Sequence, residues 1–221
     1  FIVSEQLQSV GIDPGPILIE PSSKNTAAAI LAATIYALES DDDAILLVAP
    51  SDHIIPDVDA LHSSIQTAIT QVLKGKIVTF GVEAVSPDTG YGYIELSNSL
   101  DKISPVENFI EKPDRELALD MLAKKNYVWN AGIFMFRAKD MLEAFQTHCS
   151  EMVEPVSCAI KKGQPDLGFF RIDKGSWRNL QNISVDYAIM EKADNLVAVR
   201  FNGSWSDLGD WSAVWNHAKL A

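Results

Sequence analysis

The stretch at positions 46–57, LLVAPSDHIIPD, runs from an apolar block directly into a carboxylate and an imidazole. The apolar block spans 44–49 without interruption, which is typical of a strand covered on both faces by helices. Asp52 follows shortly after this block. Ligands of open α/β sheets bind beyond the carboxyl ends of the strands, so this order predicts a functional acid there. The alternative, a helix cap for the next helix, suits Asp57 better.

Strand and helix patterns alternate on both sides of this stretch. Strands are predicted at 16–20, 44–49 and 76–82, and helices at 24–38, with Ser22 or Ser23 as N-cap, and at Val58–Val72. After Gly90, short strand-like pieces mix with helices at 115–125 and 139–147, a helix from near Ser184 and a strand at Leu196–Phe201. The pattern predicts an α/β fold: a Rossmann-like, mixed and mostly parallel sheet flanked by helices.

The composition excludes several classes of partner. The 221 residues, 47% of them hydrophobic, are enough for one large domain. No run approaches the roughly 18 uncharged apolar residues of a membrane span, and no signal-peptide pattern opens the chain. The formal net charge of −12 repels nucleic-acid phosphates, so no nucleic-acid partner is expected. A small phosphorylated ligand would need local cations or a metal ion.

The cysteines and histidines indicate neither a disulfide nor a zinc site. Cys149 and Cys158 stand in helical segments without metal-ligand spacing, and we interpret them as buried, inert thiols of a reducing cytoplasm. None of the four histidines has a metal-binding partner at helical spacing. His53 is therefore interpreted as a packing or hydrogen-bonding residue.

Two acids from distant parts of the chain are predicted at the carboxyl ends of strands. Asp52 follows the 44–49 strand, and Asp207 lies in a glycine-bounded loop after the Leu196–Phe201 strand. Mg²⁺ takes one or two carboxylates and completes its coordination with water and substrate oxygens. Asp52 and Asp207 are therefore expected to share one Mg²⁺.

Other motifs have simple structural explanations when each is taken alone. The glycines around Tyr91 in TGYGYIE fit a hairpin turn. Glu111 and Lys112 in FIEKP should point to opposite faces of a strand, and a solvated strand end explains them. Asn130 heads an otherwise apolar strand, and Asp186 stands in the first turn of a helix, where acids favour the helix dipole.

Taken in order, these segments resemble the mannose-1-phosphate guanylyltransferase branch of the sugar nucleotidyltransferase family. The motifs that carry the resemblance are IEPSSKNTAAA, LLVAPSDHII, TFGVEAVSPDTGYGYIE, VENFIEKPD, YVWNAGIFMF, ISVDYAIMEK and GSWSDLGDW. They extend over nearly the whole chain. The resemblance implies the nucleotide-diphospho-sugar transferase fold in one domain spanning 1–221. That domain would lack its first strand and a glycine-rich GxGxRLxPLS loop before Phe1, and a C-terminal isomerase domain would be absent.

The resemblance also implies roles for individual residues. It assigns the metal ion to Asp52 and Asp207, and catalysis to these two and Lys112. The residues that it implies for the nucleotide are Glu20, Asn25, Thr26 and Asp52. The residues that it implies for the sugar phosphate are Tyr91, Gly92, Glu111, Lys112, Asn130, Gly132 and Asp186.

The implied reaction converts GTP and mannose 1-phosphate into GDP-mannose and pyrophosphate. Mg²⁺ would assist an in-line attack by the sugar phosphate, in the cytoplasm and in the service of polysaccharide biosynthesis. A homodimer is compatible with this assignment. Two alternatives stay open: a nucleotidyltransferase for another hexose 1-phosphate, and a non-catalytic homologue that binds nucleotide sugars. Retention of Asp52 and Asp207 argues against the second alternative, whereas the missing glycine-rich loop argues for it.

Overall fold

The computed structural model describes residues 2–209 and 215. Its strands are β1 Ile17–Ile19, β2 Ile45–Val48, β3 Ile77–Glu83, β4 Tyr93–Leu96, β5 Ile103–Ile110, β6 Tyr127–Arg137, β7 Gln164–Asp166, β8 Phe169–Arg171 and β9 Leu196–Phe201. Its α-helices are α1 Ile2–Ser9, α2 Asn25–Leu38, α3 Val58–Val72, α4 Arg115–Lys124, α5 Ala138–His148, α6 Val153–Lys161 and α7 Lys174–Trp177. A 3-10 turn covers Ser150–Met152, and a π-helix covers Asp186–Met190.

The described strands form two sheets. The larger has the order β2-β6-β3-β9-β5-β4, and the smaller has the order β1-β8-β7. In the larger sheet β2, β3, β4 and β9 run in one direction, and β5 and β6 run in the other. The predicted mixed α/β fold class is confirmed. Although most of these strands share a direction, only β3 and β9 pair in parallel within this sheet, because β5 and β6 are inserted between the others.

Strand β6 holds the larger sheet together by pairing with three other strands. One of its edges pairs with β3. Its other edge pairs with β4 at residues 127–129 and with β2 at residues 134–137. Between these two ladders, residues 130–133 of β6 face a gap, which is bordered by the carboxyl end of β2 and the beginning of β4.

A bulge in β6 lies at this gap. Thr79 of β3 pairs with Phe134, and Gly81 pairs with Asn130, so three residues of β6 oppose one residue of β3. Gly132, in the middle of the bulge, has φ +68°, a left-handed conformation that glycine adopts without steric cost. Bulges bend a strand and re-aim its side chains, and this one turns Asn130 toward the gap.

Helices cover both faces of the larger sheet and bury its alternating side chains. Phe136 of β6 packs with residues of α2, α5 and α6 on one face. Met135 and Ile133 of β6 pack with Ala68 and Val72 of α3 on the other face. This period-2 alternation along β6 is the reason that a single strand contributes to both layers of the core.

Several predicted elements are confirmed with their bounds, including helix α3 at Val58–Val72 and strand β9 at Leu196–Phe201. Asp57 caps α3, since its carboxylate accepts a hydrogen bond of 2.9 Å from the backbone N–H of Ala60. The helix expected from near Ser184 is the π-helix. Asp210 and Trp211, which end the GSWSDLGDW motif, lie outside the described residues.

Two local predictions about α2 and β2 are wrong. The N-cap of α2 is Lys24 rather than Ser22 or Ser23, and the Lys24 ammonium donates instead to the carbonyls of Arg178 and Leu180 at 3.0 and 2.8 Å. Strand β2 is not covered on both faces, because Ile45 and Leu47 are 39% and 42% exposed. Among the described residues β2 pairs on one side only, with β6.

The two thiols differ from each other. Cys149 is buried and burial raises its pKa to about 11, as expected of an inert thiol. Cys158 is only partly buried, so the prediction of a buried thiol is wrong for this residue, and hydrogen bonds with Ser176 and Lys162 lower its pKa. None of the described helices combines the length and the apolar character that crossing a bilayer requires.

Gly81 tests the close approach of β3 and β6. A Cβ at Gly81 would lie 2.5 Å from Cγ2 of the buried Val128. The added methyl group would push against Val128, and β3 and β6 cannot move apart to relieve the clash without breaking their hydrogen bonds. We therefore expect Gly81→Ala to lower the free energy of unfolding by about 1–3 kcal/mol. Gly15→Ala, which places a Cβ in open space, should change it by less than about 0.5 kcal/mol. Urea denaturation of both variants measures the difference, and equal effects would contradict the close approach.

Candidate active site

A cavity of about 420 Å³ lies at the gap where β2 and β4 separate along β6. Its walls come from the loop after β2, the segment before β4, the turn after β5, the bulge of β6, the π-helix and the loop after β9. The predicted residues that line it are Thr26, Tyr91, Gly92, Glu111, Lys112, Asn130, Gly132, Asp186 and Asp207. The fold therefore brings together residues from motifs spread over most of the chain.

Three of the predicted residues lie elsewhere. Asn25 lines a smaller cavity of about 350 Å³, which shares Thr26, Glu111, Lys112 and Asp186 with the larger one. Glu20 and Asp52 line neither of these cavities. Glu20 follows β1, and burial raises the pKa of its carboxyl group. Its Oε1 atom is buried without a hydrogen-bond partner among the described residues.

Asn130 joins four parts of the site through its backbone and its amide. Its backbone N–H donates to the Gly92 carbonyl at 2.8 Å. Its Oδ1 accepts from the Thr79 hydroxyl at 2.9 Å and from the Gly132 N–H at 3.1 Å. Its Nδ2 donates to Oδ1 of Asp186 at 3.1 Å. Asn130 is only 8% exposed, and without these hydrogen bonds its polar amide atoms would be buried without partners, which would destabilise the fold.

Asp186 carries the most perturbed carboxyl group of the cavity. Burial, and secondarily the neighbouring Glu111 carboxylate, raise the pKa of Asp186 to about 6, while Ser184 and Lys112 act in the opposite direction. Its position at the start of the π-helix agrees with the helix-dipole explanation, but its bond to Asn130 gives it a place in the cavity as well. Perturbed carboxyl groups in clefts are typical of functional sites.

Glu111 and Lys112 form an ion pair, with 2.9 Å between Oε1 and Nζ, which contradicts the expectation that they point to opposite faces. Strand β5 ends at Ile110, and Lys112 has φ +49°, so strand alternation no longer applies to this turn. The Glu111 side chain is only 9% exposed, which also excludes a solvated strand end. The hydrogen bond with Glu111 raises the pKa of Lys112, and the lysine stays cationic at the cavity wall.

The TGYGYIE segment lines the cavity and is not a hairpin turn, because β3 and β4 do not pair with each other. A Cβ at Gly92 would lie 2.7 Å from Oε2 of Glu111, so a larger residue would force the Glu111 carboxylate to move. The Tyr91 ring makes edge contacts with Trp129 and Trp205, with ring centroids 5.0 and 5.2 Å apart. Its hydroxyl donates to Oδ1 of Asp207 at 3.0 Å. Tyr91 thus links an aromatic wall to the acid.

The loops that carry Asp52 and Asp207 are joined to each other. Two backbone hydrogen bonds of 2.8 and 3.1 Å form a bridge between Ile54 and Ser206. Burial lowers the pKa of His53, while Asp52 and Asp207 both act to raise it, so both negative charges lie within electrostatic reach of this imidazole.

The donor set of these loops fits a hard, oxygen-binding cation. Mg²⁺ takes one or two carboxylates and completes its coordination with water and phosphate oxygens. The described residues contain no group of three or more histidine, cysteine, aspartate or glutamate side chains that could hold a metal ion. A metal bound by Asp52 and Asp207 would therefore depend on its substrates and on water for further ligands.

Trp205 is a wall residue that the sequence did not identify. Its Nε1–H donates to Nδ1 of His53 at 3.2 Å, and the two rings meet edge to face at 5.5 Å. This contact confirms the packing and hydrogen-bonding role of His53. Trp205 lies in the GSWSDLGDW motif, two positions before Asp207. This closeness to a predicted site acid is the sequence feature that could have identified Trp205 as a wall residue.

The fold and the site define an α/β protein with a ligand cavity at a strand's carboxyl end, lined by carboxylates, an amide and a lysine. The sequence profile of nucleotidyl transferases matches residues 3–221. The chain belongs to the nucleotidyl transferase family.

Individual relatives support this assignment. A mannose-1-phosphate guanylyltransferase from Sinorhizobium fredii is 40% identical over 98% of this chain and 43% of its own length. The xanthan biosynthesis protein XanB of Xanthomonas campestris is 39% identical over 97% of this chain and 46% of its own length. The chain therefore spans less than half the length of these relatives. A crystal structure described as mannose-6-phosphate isomerase from Helicobacter pylori superposes with a TM-score of 0.84 at 32% identity, covering 93% of this chain and 80% of that one.

Asp186 should give the folding stability a defined pH dependence. Its pKa is raised to about 6 in the folded protein, so the stability that it contributes is complete below about 4 and is lost as the pH rises through 6. We expect Asp186→Asn to be more stable than the parent protein at pH 8, by about 1–3 kcal/mol, and no more stable at pH 4.

Urea denaturation at both pH values measures this difference. Asp120→Asn, which removes an exposed carboxylate from α4, serves as the control and should show no such change between pH 4 and pH 8. A constant difference for Asp186→Asn at the two pH values would contradict the raised pKa.

Proposed function

We propose that this chain transfers GMP from GTP to mannose 1-phosphate, giving GDP-mannose and pyrophosphate. The observation that carries the proposal is the convergence of Glu111, Lys112, Asn130, Asp186 and Asp207 on one cavity in a nucleotidyl transferase. The relatives named above supply the choice of substrates, because one of them is named for guanylyl transfer to mannose 1-phosphate.

The sugar end of the cavity offers groups that suit hydroxyl ligands. Carboxylates such as those of Glu111 and Asp186 accept hydrogen bonds from sugar hydroxyls, while the Asn130 amide both donates and accepts. Tyr91 and Trp205 supply an aromatic wall against which the apolar face of a sugar ring can pack. Carbohydrate recognition therefore uses both polar and apolar walls of this cavity.

Lys112 is the group that we assign to the phosphate of the sugar. Its side chain is 59% exposed and can reach an incoming phosphate, although its partner Glu111 is only 9% exposed. Turning Lys112 toward the phosphate would leave the Glu111 carboxylate without its cation, a cost that the new contact with the phosphate must offset. A sugar phosphate is already ionised at neutral pH, and its attack needs no general base.

Catalysis then consists of positioning and charge neutralisation in an in-line displacement. Asp52 and Asp207 would hold Mg²⁺, which when bound neutralises phosphate charge and brings the two anionic substrates together. Tyr91 supports this role because its hydroxyl donates a hydrogen bond to the Asp207 carboxylate, which fixes the orientation of that acid. Gly209 also donates to Asp207, from its backbone N–H at 3.0 Å.

The nucleotide side is assigned to Glu20, Asn25 and Thr26. A guanine base presents N–H donors, and the buried Oε1 atom of Glu20 is an acceptor without a partner among the described residues. Thr26 ties α2 to the segment before the π-helix, because its hydroxyl accepts from the Val185 N–H at 2.9 Å. This hydrogen bond fixes the position of α2, on the nucleotide side, relative to the π-helix that carries Asp186 on the sugar side.

Assays with GTP, ATP or UTP and with mannose or glucose 1-phosphate, followed by pyrophosphate release, test this function in the full-length protein. Turnover restricted to GTP and mannose 1-phosphate supports it, and preference for another hexose 1-phosphate would replace its substrate. A parallel assay for mannose 6-phosphate isomerisation tests the activity for which the Helicobacter pylori relative is named. We place the reaction in the cytoplasm and in the supply of GDP-mannose for polysaccharides, as the xanthan relative suggests.

Asp207 should be essential for turnover but not for folding. Asp207→Asn keeps an acceptor for Tyr91 and Gly209 but removes the negative charge. We expect a loss of about 100-fold or more in kcat, because electrostatic stabilisation of the transferred phosphate contributes several kcal/mol, together with a weaker apparent affinity for Mg²⁺. Asp59→Asn, at an exposed position of α3, provides a charge-matched control. A normal magnesium dependence in Asp207→Asn would show that this acid is only a loop residue.

A further inference from the structure

Thr79 places a hydroxyl group in the core directly behind the cavity. The residue lies on β3 and its side chain has no exposed surface, yet its Oγ1 donates to Oδ1 of Asn130 at 2.9 Å. The contact depends on the bulge in β6, which shifts the partner of β3 from Phe134 at Thr79 to Asn130 at Gly81. A buried hydroxyl in an apolar layer is costly unless it is hydrogen-bonded, and the Asn130 amide supplies that hydrogen bond.

The hydrogen bonds around Asn130 permit only one orientation of its amide. The Gly132 backbone N–H, 3.1 Å from one amide atom, can only donate, so this atom must be the oxygen. The Thr79 hydroxyl therefore donates to the same oxygen. The amide nitrogen then faces Oδ1 of Asp186 at 3.1 Å, as the structure shows.

The opposite orientation would damage the cavity wall. Turning the amide would place its oxygen against the Asp186 carboxylate, where two acceptors would oppose each other. It would also place the NH₂ group against the Gly132 N–H and leave the Thr79 hydroxyl without its acceptor. Asp186 already has the Glu111 carboxylate as a neighbour and Lys112 as the nearest cation, so it has little capacity for a further negative contact.

We propose that Thr79 is a positioning residue that holds the Asn130 amide in the orientation that binds Asp186 and so keeps both groups ready for the sugar phosphate. Thr79 itself lines neither cavity and acts through Asn130. The inference rests on the proposed function for its ligand, but the orientation of the amide can be tested without any ligand.

Thr79→Val removes the hydroxyl while keeping the branched shape of the side chain, and Thr79→Ser keeps the hydroxyl. We expect Thr79→Val to weaken mannose 1-phosphate binding by about three- to tenfold, the effect of losing one neutral hydrogen bond, with GTP affinity unchanged. Thr79→Ser should bind nearly as the parent protein does. Isothermal titration of the full-length protein measures both affinities, and equal binding by the valine variant would overturn the inference.

A double-mutant cycle separates positioning from general packing. If Thr79 acts through Asn130, then Thr79→Val should cause no further loss of affinity in an Asn130→Ala background. Additive losses in the double variant would show that Thr79 supports the fold instead, and the inference would fail. If Thr79→Val does not fold, Thr79→Cys, whose thiol is a weak donor, takes its place in the cycle.

Side-chain amide signals of ¹⁵N-labelled asparagine report the orientation directly, and Asn130→Ala identifies the pair that belongs to Asn130. We expect one sharp pair in the parent protein and in Thr79→Ser, and a shifted or exchange-broadened pair in Thr79→Val. If the parent protein binds no mannose 1-phosphate, the proposed function fails, and the amide signals alone then decide about Thr79. An unchanged Asn130 pair in Thr79→Val would overturn the inference in either case.

Discussion

The separation of β2 and β4 along one edge of β6 is the constraint on which the site depends. Residues 130–133 of β6 are left between the two ladders, and the bulge also removes residues 131–133 from regular pairing with β3. Their polar groups must still find partners, since buried backbone groups without hydrogen bonds are costly. Asn130 meets this need by donating to the Gly92 carbonyl, which brings the segment before β4 over the gap. A cavity at this position is therefore a consequence of how the sheet is paired.

The electrostatics of the site follow from the same geometry. The cavity collects the acids Glu111, Asp186 and Asp207 in a chain with a formal net charge of −12. Among the described residues that line it, Lys112 is the cation, and it is paired with Glu111. Burial, and secondarily the neighbouring Glu111 carboxylate, raise the pKa of Asp186. Added positive charge would favour the entry of anionic ligands into such a cavity, which is the physical reason that the proposed reaction includes a divalent cation.

The sequence predicted the elements and the set of candidate residues better than it predicted their contacts. Hydrophobic periods identify strands and helices because they depend on neighbouring residues, and the bounds of α3 and β9 were obtained in this way. The bulge at Gly132 and the turn that pairs Lys112 with Glu111 depend on left-handed backbone conformations that no periodic pattern encodes. The exposed face of β2 depends on which strands become its neighbours, and that is decided by parts of the chain far away in sequence.

The contact between His53 and Trp205 spans 152 positions of the chain. Closing a loop of this length costs conformational entropy before any contact repays it, and such long-range contacts form slowly and late in folding. The same contact lies at the end of the described chain, next to the Ile54–Ser206 bridge that has only two backbone hydrogen bonds. Local opening of this bridge would separate the loops that carry Asp52 and Asp207 while leaving the ladders of the larger sheet intact. A cation bound by both acids would oppose this opening, since a ligand that binds only the closed form stabilises it.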